Sequence, residues 1–177
     1  MPSKFYKIFK KRNGIIIGAI HFSPLSGYPE SPGLKVTLSN SLQDLKALES
    51  GGVDAVIIEN NYDTPHKIFI GTKTVNDMEF LGKKIASSTK LIMGVNVLWN
   101  DYKSALSIAK TIKAKFIRIP VFVDKVKTNY GIVTGSPNDV LEYRKKIGAE
   151  DIALFVDIQV KHAELLNKRP IEESALE

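Results

Sequence analysis

The sequence predicts an α/β protein of the (β/α)8 barrel type, with only about five strand–helix units in the chain. Three observations carry this. Five short apolar runs recur along the chain, amphipathic helical patterns separate them, and every run ends in polar side chains. Parallel strands buried on both faces read as continuous apolar runs without alternation, and helices cover them through right-handed crossovers.

The apolar runs span residues 15–20, 53–58, 91–97, 116–121 and 152–158. Between them, Leu42, Leu45 and Leu48 share one helical face, and Gly51-Gly52 closes that helix. Val75, Met78, Leu81 and Ile85 form the next stripe, for which Thr74 and Asp77 read as a capping box. Tyr102, Ala105, Leu106, Ala109 and Ile112 form the third. Ser136 as N-cap, Pro137 at the first helical position and Asp139 open the fourth, and Gly148 ends it. An open doubly wound sheet would gather its polar residues at one switch point. Here they follow every strand, which favours the barrel.

A barrel needs eight units and about 250 residues; this chain has 177. Its last residues, Pro170-Ile171-Glu172-Glu173, read as the start of a fifth helix, so the expectation is a chain cut within that helix. Five strands alone leave two exposed apolar edges, and self-association into a homo-oligomer is expected from them.

Composition bounds the class. Hydrophobic content of 44% and charged content of 25% are those of a soluble globular protein, and no apolar run approaches the roughly 18 residues of a membrane span. The expected location is cytoplasmic. The absence of cysteine excludes disulfides, thiolate metal sites and cysteine nucleophiles. The net charge of +6 is scattered, with no stripe or recognition motif, so no nucleic-acid partner is expected.

Residues 1–13 form a basic-aromatic segment ahead of the domain at 14–177. Lys4, Lys7, Lys10, Lys11 and Arg12 alternate there with Phe5, Tyr6, Ile8 and Phe9. Residues 1–12 read either as an amphipathic patch for a membrane or protein partner, or as a solvated turn whose aromatics cover the bottom of the core. The second is the commoner arrangement at the termini of soluble proteins.

The strand ends supply the candidate site. His21 follows the first strand; Glu59, Asn60 and Asp63 follow the second; Asn96, Asn100 and Asp101 follow the third; Arg118 stands in the fourth; Asp157, Lys161 and His162 follow the fifth. His21 is a ligand contact or a hydrogen-bonded core histidine. Asn100 and Asp101 are also good helix caps. Arg118, inside a buried strand, needs an anion: Asp157 or Glu59, or a ligand phosphate or carboxylate. Asp157, Gln159 and Lys161 share one side of an extended strand, a face that also suits an interior network with no chemistry. Glu59, Asp157, Lys161 and His162 are the acid–base candidates; His21, Asn60, Asp63, Asn96, Asn100, Asp101 and Arg118 are the binding candidates. No H-E-x-x-H pattern and no Walker loop is present, so no metal set and no cofactor is assigned.

These motifs resemble the BtpA/SgcQ family. The matching segments are Gly18-Ala19-Ile20-His21 with Pro24-Leu25-Ser26-Gly27, residues 52–60 with Asp63 and Pro65, residues 94–101, Phe116-Ile117-Arg118, and residues 157–163. The resemblance implies a TIM barrel of the ribulose-phosphate-binding type, a small phosphorylated sugar or nucleoside-like ligand at the strand C-terminal rim, or a non-catalytic assembly role of the kind implicated in photosystem I biogenesis at a membrane surface. Trp99 stands where the family pattern has Arg, and Pro120 where it often has Asn.

Overall fold

The computed structural model describes residues 4–11 and 13–177. Met1 to Ser3, Arg12 and the Lys4 side chain, all part of the basic-aromatic segment, lie outside the described residues. In chain order the elements are α1 (Lys4–Phe9), β1 (Ile17–His21), α2 (Leu34–Ser50), β2 (Ala55–Glu59), α3 (Thr72–Ser88), β3 (Ile92–Asn96), α4 (Tyr102–Ile112), β4 (Phe116–Ile119), β5 (Lys125–Thr128), β6 (Gly131–Thr134), α5 (Pro137–Lys146), β7 (Ala153–Val156), β8 (Glu164–Leu165) and α6 (Ile171–Leu176).

The five predicted strands form one parallel sheet in the order β1-β2-β3-β4-β7. Each new strand joins the edge left by the previous one, with no reversal. One face of the sheet carries Ile20, Val56, Ile58, Met93, Val95, Ile117 and Ile119. It packs against Leu45 of α2, Met78, Leu81 and Ile85 of α3, Leu106 and Ile108 of α4, and Val140 of α5. All four crossover helices therefore lie on a single face. A doubly wound sheet places helices on both. The arrangement is compatible with an arc of a barrel.

The other face carries Ile17, Ala55, Ile57, Ile92, Phe116, Ala153 and Phe155, and α1 covers its strand-N-terminal end with Phe5, Ile8 and Phe9. Phe9 is buried, a burial that contributes about 1.5–3 kcal/mol. Phe5 and Phe9 of this segment thus face the core, while Tyr6, Lys7 and Lys10 are exposed. Phe116 stacks on Phe155 with centroids 4.6 Å apart. Gly94 makes room for that pair, since a β-carbon on it would sit 2.1 Å from the Phe116 ring.

Local chemistry accounts for most boundaries. Asp101 caps α4, accepting from the Ser104 N–H at 3.0 Å. Pro137 occupies the first turn of α5, and Gly148 beyond it takes φ +61°. The Thr74/Asp77 capping box is corrected. α3 begins three residues earlier, with Gly71 at the N-cap and no side-chain cap, and Asp77 instead accepts from the Ser26 N–H at 3.0 Å. Helix α6 forms where Pro170 and the two glutamates predicted a start. Asp124 anchors it, accepting from the Ser174 hydroxyl at 2.8 Å and from Arg169 at 3.0 Å. Among the described residues, no helix is long and apolar enough to cross a membrane.

One element is absent from the sequence reading. β5 and β6 form an antiparallel hairpin, extended by β8, beside the main sheet. Val126 and Val133 of this hairpin pack with Val121 and Trp99 in a small core of their own.

Candidate functional site

A row of polar side chains crosses the C-terminal ends of the main strands. His21 pairs in register with Glu59, and Glu59 with Asn96. Arg118 follows one step beyond the Val95↔Ile117 pair, and Asp157 lies just past the end of β7. Side chains alternate across a strand, so these residues share the face opposite the four crossover helices.

Arg118 organises the row. Its Nε and Nη2 donate to the two oxygens of Asp157 at 3.0 and 2.7 Å, and its Nη1 donates to Glu59 Oε1 at 3.4 Å. The other Glu59 oxygen lies 3.4 Å from His21 Nε2. The Glu59 side chain is only 7% exposed, against 35% for Arg118. Hydrogen bonding to Asp157 is the main cause that holds the Arg118 guanidinium above its ordinary value, against a smaller opposing effect of burial, and the Asp157 and Glu59 charges add to it. Of the two partners the sequence left open for Arg118, the protein supplies the internal one.

Asn96 lies beside Glu59 in this row. It is fully buried, and neither amide atom has a hydrogen-bond partner among the described residues. An unsatisfied buried amide costs about 1–3 kcal/mol, which is unusual away from functional sites.

Above the row opens a cavity of about 450 Å³. His21, Glu59, Arg118, Lys161 and His162 line it, with Asn61, His66, Trp99 and Tyr130. All three histidines of the chain and its single tryptophan therefore meet here. Lys161 and His162 reach the rim through a tight loop in which Gln159 and His162 adopt left-handed backbone, and Asp124 pins it by accepting from the Gln159 N–H at 3.0 Å. Both are exposed, and neither has an ion-pair partner among the described residues. Burial pushes the His66 imidazole below its ordinary value, which favours its neutral form. Its ring stands at right angles to Tyr130, with centroids 5.1 Å apart. Among the described residues, no group of three His, Asp or Glu side chains is arranged to hold a metal ion.

Four of the predicted residues face inward to the backbone instead. The Asn60 amide accepts from the Leu98 N–H at 2.7 Å and donates to the Leu98 carbonyl at 3.3 Å and to Asp63 at 3.2 Å. Asp63 accepts from the Leu25 N–H at 2.8 Å. Asn100 accepts from the Val121 N–H at 2.9 Å and donates to its carbonyl at 3.0 Å. Asp101 caps α4 and accepts from the Ile70 N–H at 2.9 Å. They fix the loops that frame the cavity. The Leu98–Trp99 and Thr64–Pro65 peptides in these loops are cis. Sequence reasoning missed His66, Asn61 and Tyr130. His66 stands in a long loop with no strand end to mark it, and Tyr130 sits on the unpredicted hairpin; only the Tyr130-Gly131 turn signal could have pointed to it.

Fold and rim together define an α/β protein with sequentially ordered parallel strands and a charged cavity at their C-terminal ends. The chain belongs to the BtpA family, whose model matches residues 12–177. It is 34% identical over 160 residues to the photosystem I biogenesis protein BtpA of Synechocystis sp., covering 89% of this chain and 55% of that protein. An uncharacterized protein of Archaeoglobus fulgidus is 35% identical over 148 residues, covering 84% of this chain and 60% of its own length. The putative sgc region protein SgcQ of Escherichia coli is 28% identical over 159 residues, with coverages of 88% and 59%. The chain thus spans 55–60% of the length of these three relatives.

Proposed function

We propose that the sheet is an arc of a (β/α)8 barrel of the ribulose-phosphate-binding type, and that its rim binds or converts a small phosphorylated sugar or nucleoside-like compound. Sequential strand order with every crossover helix on one face supports the barrel. The observation that carries the ligand reading is the cavity itself, where the Glu59–Arg118–Asp157 network forms the floor and Lys161 and His162 stand unpaired at the rim. A phosphate takes the cationic rim. Glu59, with one oxygen toward His21, is placed to move a proton at a ligand hydroxyl. Asn60, Asp63, Asn100 and Asp101 act indirectly, by holding the loops.

Calorimetric titration with ribose 5-phosphate tests this. Binding is expected, with a loss of at least ten-fold in the Lys161→Gln/His162→Gln double variant and unchanged circular dichroism, because both side chains are exposed. Equal binding by variant and parent, or no binding of any sugar phosphate, overturns it.

A second reading follows the Synechocystis relative, named for photosystem I biogenesis: a non-catalytic assembly factor. The outward lysines of the N-terminal segment favour it, since they leave a basic face free for an anionic membrane or protein. Cosedimentation with anionic vesicles that is lost in Lys7→Gln/Lys10→Gln supports this reading; parent protein left in the supernatant refutes its membrane form.

A further inference from the structure

We infer that the cavity ligand is a ring-bearing phosphomonoester, a nucleoside monophosphate, held with its phosphate at the rim and its base against the wall formed by Trp99 and Tyr130. The inference rests on the reading of the cavity as a phosphorylated-ligand site and narrows it.

Charge fixes the orientation. Arg118 is already shared between two carboxylates, and a dianion placed on it would face Glu59 and Asp157 at close range. Lys161 is a lining ammonium group that lacks an ion-pair partner among the described residues, and the exposed His162 imidazole stands beside it, also without one. His66 is half-buried, which disfavours charge on its ring, and it offers a hydrogen bond to the cavity. The phosphate therefore lies outward and an uncharged, hydroxyl-bearing part lies inward, over Glu59 and Asn61.

Shape fixes the rest. Leu98, Trp99, Pro120, Tyr130 and Val160 are the apolar and aromatic residues of the lining, and Trp99, Tyr130 and Val160 pack in one cluster. A sugar phosphate without a planar ring would set its hydroxyls against that apolar surface, where the side-chain partners are few: the Tyr130 phenol and the neighbouring Asn129 and His66. A planar ring covers it and stacks on the aromatic groups. Trp99 is held rigidly for this, since it packs on Val126 and Val133 of the hairpin that also presents Tyr130. The volume of about 450 Å³ falls within the range of small-molecule sites, about 300–1,000 Å³.

Calorimetric titration of the full chain with uridine and adenosine 5′-monophosphate, ribose 5-phosphate, and adenosine tests the inference. At least one nucleoside monophosphate is expected to bind ten-fold or more tightly than ribose 5-phosphate. Tyr130→Ala should shrink that ratio several-fold, and Tyr130→Phe, which keeps the ring, should preserve it. Ribose 5-phosphate binding as tightly as both nucleotides overturns the inference and leaves the phosphate reading standing. Adenosine binding as tightly as its monophosphate overturns the placement of the phosphate at the rim. Binding of none of the four overturns both. Because the ratio is read first in the parent protein, the test stands even if the Tyr130→Ala hairpin loosens.

Discussion

Arg118 grips Asp157 through two parallel N–H···O bonds of 3.0 and 2.7 Å, tying the fourth strand to the segment that leaves β7. The planar guanidinium fork matches a carboxylate edge in a way that lysine cannot. Asp157→Asn breaks this pairing and leaves the Arg118 charge on Glu59 alone. The loss of stability is expected to be about 1–3 kcal/mol, below that of a fully buried pair because both side chains are part-exposed. Urea unfolding of the variant measures it, and a midpoint equal to that of the parent refutes it.

Asn100 bonds both the N–H and the carbonyl of Val121, in a buried setting. Asn100→Ala strands two backbone groups and should cost about 2–4 kcal/mol. Asn100→Asp keeps an acceptor for the N–H but turns an oxygen on the carbonyl. It should therefore be no more stable than the alanine variant at pH 7, as thermal unfolding of the two side by side would show.

Gly94→Ala forces a methyl group to within 2.1 Å of the Phe116 ring, which its stack on Phe155 holds in place. Overpacking of this kind costs about 1–3 kcal/mol or more. The second-site change Phe116→Leu should recover part of the loss. No recovery in the double variant would place the strain elsewhere than in this contact.

Burial pushes the Asp63 carboxyl above its ordinary value, the bonds from Leu25 and Asn60 pull it down, and the Asp77 charge adds to the rise. A raised carboxyl holds its proton more tightly in the folded state than in the unfolded one. Its contribution to stability is complete below the unfolded value of about 3.9 and is lost as pH rises through the folded value. The unfolding free energy of the parent, minus that of Asp63→Asn, should fall from pH 3.5 upward across that window. A flat or rising difference contradicts the assignment.

Much of the scaffold could be read from the residues, for reasons the structure makes plain. Ala55 to Ile58 is apolar without alternation, as is Phe116 to Val121 apart from Arg118, because both faces of these strands are covered, which is a property of composition alone. The hairpin escaped because Lys125-Val126-Lys127-Thr128 buries only alternate residues, and its strands are too short to stand out from a loop. The polar strand ends were legible as residues but not in their direction. Asn60 turns to the Leu98 backbone while its neighbour Asn61 lines the cavity, and loop geometry, not residue type, decides between them. The capping box failed for a related reason: Thr74 and Asp77 have the right spacing, but Asp77 finds the Ser26 N–H across the fold before any in its own helix.

The gathering of every imidazole and the only indole around one cavity has a practical consequence. Intrinsic emission excited at the red edge of indole absorption, and the downfield ring-proton signals of histidine in a one-dimensional spectrum, both originate at this rim and nowhere else in the molecule. The protein is in effect already labelled at its candidate site, and an unmodified sample reports occupancy, protonation and wall movement there directly.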